Sequence, residues 1–288
     1  MTEPRLNHVP VLRGRAVHRM AYWEWGERSN PRVLVCVHGL TRQGRDFDTF
    51  ARAMQDTYRV VCPDVLGRGH SDWLPDAAGY QVPAYAADMM ALVARLDVPE
   101  VHWVGTSMGG MIGMVVAALR GSPITRLVLN DVGPAIEADA VSRIGSYVGQ
   151  TPHWDTEEQA AEALWAISRG FGPHTPAQWL ALTRPMLRPD GKGFKLHYDP
   201  AIAVAFSQLT PENAKAGEAV MWKMYDAIQA PTLVLRGAES DLLTAASAQA
   251  MCGRGPRASV REFAGVGHAP MLTNDEQIGA VRTFLLGA

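Results

Sequence analysis

The sequence predicts an α/β protein, a mostly parallel, doubly wound sheet that one long helical insertion interrupts. Three observations predict it. Short Val-rich apolar runs alternate with amphipathic stretches, the pattern of parallel strands joined by crossover helices. The alternation stops after Asp131-Val132-Gly133-Pro134 and resumes at Pro231. Between the two halves of the first block lies Gly105-Thr106-Ser107-Met108-Gly109, with an apolar run on each side.

The elements follow in order. Residues 17–25 mix aromatic and polar side chains and suit an antiparallel strand at the sheet's N-terminal edge. Val33-Leu34-Val35-Cys36-Val37 is almost uninterruptedly apolar, as expected of a strand buried on both faces. A helix over 47–54 and a strand at Tyr58-Arg59-Val60-Val61-Cys62 come next. From Val82 to Leu96, Tyr85, Met89, Leu92 and Leu96 share one helical face. Val101-His102-Trp103-Val104 reads as a buried strand and residues 111–119 as an apolar helix. Leu127-Val128-Leu129-Asn130-Asp131 is again a strand. Residues 134 to about 226 show helical segments only, with Trp154, Trp165, Phe171, Trp179, Met186, Met221, Trp222 and Met224 spread among them. Such residues more often form a small core than a pocket lining. Strands return at 231–236 and 258–263.

Ser107 carries the chemistry. A serine flanked by glycines where a strand turns sharply into a helix is a nucleophile elbow. The close approach of strand and helix requires residues without bulk at the flanks. Such a serine needs a histidine to take its proton and a carboxylate to orient that histidine. His268 stands in a Gly-bounded loop after the last strand, near the C-terminus. Asp241 ends the Gly237-Ala238-Glu239-Ser240-Asp241 turn, at a strand end where functional groups of parallel sheets collect. Asp131, which ends the strand at 127–131, and Glu239 are the acidic alternatives; Asp131 runs at once into a Val-Gly-Pro exit, and Asp241 is favoured. His38-Gly39-Leu40-Thr41 ends the strand at 33–37, and the amides of Leu40 and Met108 are the candidate oxyanion donors. His38 braces this loop and leaves the base role to His268. Arg42 could anchor a substrate carboxylate, but a surface arginine, or one tied to Asp46 or Asp48, is favoured.

On these residues the chain resembles the α/β-hydrolase superfamily over nearly its whole length. Pro63-Asp64-Val65-Leu66-Gly67-Arg68-Gly69-His70-Ser71-Asp72 is similar to that family's D-x-x-G-x-G-x-S loop after the fourth strand. The order Ser107, Asp241, His268 is the family's order. The wording around His38 and Ser107 is similar to its esterase, lactonase and C–C hydrolase branches, whereas the epoxide hydrolase and haloalkane dehalogenase branches carry Asp where Ser107 stands. The resemblance implies an eight-stranded sheet, with a core of residues 1–133 and 227–288 and a helical cap of residues 134–226 between strands six and seven. It implies hydrolysis of a carboxylic ester or lactone of a small, largely apolar substrate through an acyl-enzyme. A thioesterase, a C–C bond hydrolase, or a ligand receptor with incidental turnover stands as the alternative.

Composition agrees. The chain has 288 residues, 47% hydrophobic and 19% charged, enough for a large core. A formal net charge of −2 offers nucleic acid or an anionic membrane no electrostatic attraction. Three cysteines, two of them in buried strands, argue against a disulfide framework. The nine histidines show no metal-binding spacing, and no cofactor is called for. The N-terminal residues lack an apolar run and no stretch is apolar enough to span a bilayer. These features predict a cytoplasmic monomer or homodimer.

Overall fold

The structure, a computed structural model, describes residues 3–204 and 211–287. Met1 and Thr2 of the N-terminal segment, and residues 205–210 of the expected cap, lie outside the described residues.

Eight strands form the main sheet. They are β1 (Arg5–Arg13), β2 (Ala16–Trp25), β3 (Val33–Val37), β4 (Arg59–Pro63), β5 (Val101–Thr106), β6 (Ile124–Asn130), β10 (Thr232–Gly237) and β11 (Ser259–Phe263). Their order is β1-β2-β4-β3-β5-β6-β10-β11. The last six run parallel, while β1 and β2 form an antiparallel hairpin whose second strand pairs with β4. The expected edge strand is therefore second from the edge, and β1 lies outside it.

The period of two along each strand builds two cores. Val33, Val35 and Val37 face one, with Trp103, Leu127, Leu129 and Val234. Leu34 and Cys36 face the other, with Val104, Val128, Leu233 and Leu235. Helix α2 (Val82–Leu96) and α3 (Met108–Ala117) cover the first face. Helix α1 (Asp48–Met54) and the C-terminal helix (Asp275–Leu286) cover the second. The 82–96 helix has the bounds its apolar face predicts.

The segment between β6 and β10 corrects the expectation of helices alone. It holds α4 (Ala138–Tyr147), α5 (Glu157–Ser168) and α6 (Pro176–Thr183), but also β7 (His153–Trp154), β8 (Leu187–Asp190) and β9 (Gly193–Leu196). These three short strands make an antiparallel sheet ordered β7-β9-β8. Leu164, Trp179, Leu182 and Met186 form a separate small core there, with Trp165 packed against it. Helix α7 (Pro211–Ala227) belongs elsewhere: it packs on α3, and Met221 and Tyr225 join the main core. Among the described residues no helix is long and apolar enough to cross a membrane.

Candidate active site

Ser107 sits at the turn from β5 into α3 with φ 52° and ψ −116°. A side-chain-bearing residue adopts a positive φ only where its surroundings force it. The forcing contacts are backbone ones. A Cβ at Gly105 would come within 2.3 Å of Gly109 O, and one at Gly109 within 2.0 Å of Val37 O. Glycine at both positions lets α3 start directly against the ends of β3 and β5. The Ser107 amide donates to Asn130 O at 3.0 Å, and its own carbonyl accepts from Gly110 and Met111, which fixes the turn at both ends.

His268 brings Nε2 to 3.0 Å from Ser107 Oγ. Its Nδ1 lies 2.7 Å from Asp131 Oδ2, so the two ring nitrogens bridge a hydroxyl and a carboxylate. The carboxylate is fully buried. Asp131 Oδ1 accepts from the Gly237 amide at 2.8 Å, and Oδ2 also accepts from Ser240 Oγ at 2.6 Å. Three donors converge on this one buried carboxylate, so both of its oxygens have hydrogen-bond partners.

This geometry corrects the assignment of Asp241. Asp241 does not reach His268; its carboxylate accepts from Arg143 Nε at 2.7 Å and Nη2 at 2.9 Å, and both side chains are exposed, at 47% and 43%. The reason lies in strand register. Asn130 pairs with Leu235, so Asp131 comes level with the end of β10, whereas Asp241 lies four residues past Gly237. The Gly237 turn supplies the Gly237 amide and the Ser240 hydroxyl to Asp131 instead of an acid of its own. Ser240 escaped the sequence reading; its position in the turn beyond a strand end was the available signal.

The remaining candidates fall around the serine. Leu40 and Ser107 line a common cavity of about 290 Å³, and Met108 is the first residue of α3. His38 is wholly buried, accepts at Nε2 from the Val65 amide at 3.0 Å, and donates from Nδ1 to Gly39 O at 2.6 Å. It braces the loop, as expected. Arg42 is buried and makes a bidentate pair with Asp46 at 2.6 and 2.7 Å; Nη2 also donates to Leu182 O, which ties the loop after β3 to the inserted segment. Of the aromatic and methionine residues singled out in the insertion, Trp154, Phe171 and Met186 line the cavity. Among the described residues no group of acidic, histidine or cysteine side chains could hold a metal ion.

Burial pushes the His38 imidazole down to about 3 from an ordinary 6.5, and the nearby Arg68 and Arg42 cations push the same way. The unfolded chain therefore takes up a proton near pH 6.5 that the folded chain refuses until about pH 3. Across that window the unfolded state holds more protons, so stability rises with pH, by up to about 1.4 kcal/mol per pH unit for one group. His38→Asn should flatten the dependence of the urea unfolding free energy on pH below 6.5. Equal slopes in the variant and the parent protein would show that His38 takes up its proton in the folded state too.

A serine on a strained elbow, joined through a histidine to a buried carboxylate at the carboxyl ends of parallel strands, defines a class of protein. The sequence profile of the α/β-hydrolase fold matches residues 32–275. The chain belongs to the α/β-hydrolase family and is a hydrolase of that fold. It is 52% identical over 289 residues to the 3-hydroxybutyrate-oligomer hydrolase of Cupriavidus necator, with 99% of each chain covered. An α/β hydrolase from Novosphingobium aromaticivorans superposes over 100% of both chains with a TM-score of 0.87 at 34% identity. The 2-(acetamidomethylene)succinate hydrolase of Mesorhizobium japonicum is 24% identical, covering 77% of this chain and 76% of its own.

Proposed function

We propose that this protein is a serine carboxylic ester hydrolase acting on short oligomers of 3-hydroxybutyrate. The Ser107–His268–Asp131 hydrogen-bonded series carries the reading. Similarity along the full length to a 3-hydroxybutyrate-oligomer hydrolase supplies the substrate class. His268 Nε2 removes the Ser107 proton as Oγ attacks the ester carbonyl carbon, and Asp131 stabilises the imidazolium. The tetrahedral oxyanion lies between the Leu40 and Met108 amides, each donor lowering the barrier by about 3 kcal/mol. His268 protonates the departing alkoxide and then activates water against the acyl-enzyme. An alkoxide leaves more readily than an amine, which favours esters.

The segment 134–226 acts as a cap that limits substrate size. A cavity of about 290 Å³ bounded by Trp154, Phe171 and Met186 suits the methyl-bearing units of a short polyester and excludes a folded polymer. An oligomer of this kind also ends in a carboxylate. Of the two arginines lining the cavity, Arg42 is committed to buried Asp46. Arg143 pairs with exposed Asp241, in a pair of the kind worth about 0–1 kcal/mol, and also meets the Tyr147 hydroxyl; it can exchange the Asp241 carboxylate for the substrate's.

Incubation of the purified protein with the dimer, trimer and tetramer of 3-hydroxybutyrate, followed by chromatography, should show release of the free acid. Turnover of a lactone or a meta-cleavage dienone with no oligomer consumed would reject the substrate class. Arg143→Ala should raise KM for the free-acid oligomers about tenfold, the scale of one charge-assisted hydrogen bond, and leave p-nitrophenyl butyrate kinetics nearly unchanged. An equal effect on both substrates would remove Arg143 from carboxylate recognition.

A further inference from the structure

The loop after β4 has no part in the chemistry described so far, yet it holds the only fully buried arginine among the described residues. Arg68 has a relative exposure of 0%. Its Nε donates to Leu40 O at 2.8 Å, Nη1 to Leu66 O and to Tyr85 Oη at 2.7 Å each, and Nη2 faces Met108 Sδ at 3.5 Å. The guanidinium also lies 5.1 Å from the Tyr85 ring centre and 5.8 Å from that of Tyr80. Among the described residues it makes no ion pair. A buried charge without a counter-charge is costly, and a methionine would fill the same space without that cost.

The two ends of this guanidinium meet the two residues whose amides would face the oxyanion. The rest of the loop converges on the same turn. The Val65 amide donates to His38 Nε2, which leaves Nδ1 to donate to Gly39 O. Asp64 Oδ1 accepts from the Gly44 amide at 2.7 Å. Gly39 C=O and Leu40 N–H belong to one planar trans peptide and point in opposite directions. Fixing the carbonyl on His38 therefore fixes where the Leu40 amide points. Leu40 C=O belongs to the next peptide, which Arg68 fixes. Both planes flanking the Leu40 Cα are thus held from the loop at 64–71. The loop reaches this close because it turns at Gly67 and Gly69, with φ of 84° and 52°; a Cβ at Gly69 would come within 2.3 Å of Asp64 Oδ2.

We infer that the 64–71 loop is the clamp of the oxyanion site and that Arg68 is its positioning residue, aiming the Leu40 amide and placing an unneutralised positive charge behind both donors. The inference rests on the serine hydrolase reading and deepens it. Preorganised donors act on developing charge because they do not have to reorient during the reaction. Arg68 touches no substrate, so its removal changes the transition state and not ground-state binding.

The test uses Arg68→Met and Arg68→Lys, with p-nitrophenyl butyrate as substrate and a trifluoromethyl ketone as inhibitor, since the ketone becomes an oxyanion when serine adds to it. Loss of a whole oxyanion donor costs about 10²–10³ in kcat; misaiming one should cost R68M about 10- to 100-fold in kcat, with KM within about twofold. The ketone's affinity should fall by the same factor while that of a neutral product alcohol does not. R68K, which keeps the charge but not the planar fork, should fall between parent and R68M and guards against a misfolded R68M. A folded R68M or R68K with parental kcat and ketone affinity overturns the inference, as does a loss confined to KM. Ser107→Ala, assayed beside them, separates the two readings: if it stays active the serine hydrolase reading fails, and if it is dead while both Arg68 variants are normal only the clamp fails.

Discussion

Ser107→Ala is expected to lower kcat for p-nitrophenyl butyrate by about 10⁶-fold, the scale of removing the nucleophile from a serine–histidine–carboxylate site. The fold should survive. The substitution removes one hydroxyl that meets His268 Nε2 at 3.0 Å, a loss of about 1 kcal/mol for one partly buried hydrogen bond. It adds no atom to a turn packed against Gly105 and Gly109, and alanine at φ 52° bears the same backbone cost as serine. Thermal unfolding should therefore move by only a few degrees while turnover disappears. Residual hydrolysis of about 10³-fold over water would remain, carried by the amide donors and substrate binding. A fluorophosphonate should label the parent protein at Ser107 and leave the variant unlabelled. A purified variant that keeps most of its turnover, or label on another serine, would dismantle the nucleophile assignment and with it the whole mechanism.

The parts of this site differ in how far sequence alone discloses them, and the difference follows where each part's information lies. The elbow is local: two glycines, a serine and the apolar runs beside them specify the turn, because the contacts that demand glycine join residues close in the chain or adjacent in register. Strands β3, β4 and β10 are equally legible, since burial on both faces leaves a continuous apolar run. Strand β1 is not. Only Val9 and Val11 of its nine residues are buried, so an edge strand with one face in solvent gives too little alternation to stand out. The sheet of β7, β8 and β9 hides for another reason: strands of two to four residues, with Pro189 and Asp190 among them, are shorter than any periodicity can reveal. Arg68 shows the opposite case. Its motif is conspicuous in the chain, but its partners at 40, 85 and 108 come from separate elements and are assembled only by the fold.

The acid is the sharpest instance, and it yields the second large effect. Asp131 and Asp241 both follow strands, and the chain order of serine, carboxylate and histidine admits either. What separates them is register: β6 and β10 run parallel with Asn130 beside Leu235, which sets Asp131 under the His268 ring and leaves Asp241 at the surface. Asp131→Asn should therefore lower kcat by about 10⁴-fold, as when the carboxylate of such a triad becomes an amide and stabilises the wrong histidine tautomer. The new side chain also has to satisfy surroundings built for an acceptor. The Gly237 amide, Ser240 Oγ and His268 Nδ1 all point donors at this position. The substituted side chain keeps one oxygen that can accept, while its NH₂ opposes a donor, and stability should fall by about 1–3 kcal/mol. Ser240→Ala should reproduce part of the kinetic loss with the carboxylate intact, because it removes one of the donors that hold Asp131 in place. Asp241→Asn releases only an exposed pair with Arg143, and kcat on p-nitrophenyl butyrate should stay within about twofold of the parent, in keeping with the small worth of surface ion pairs. Pre-steady-state measurement of p-nitrophenol release would place the Asp131→Asn defect in formation of the acyl-enzyme. The reverse ranking, a crippled Asp241→Asn beside an active Asp131→Asn, would require His268 to turn its Nδ1 away from β6 during turnover and would return the acid to the end of β10.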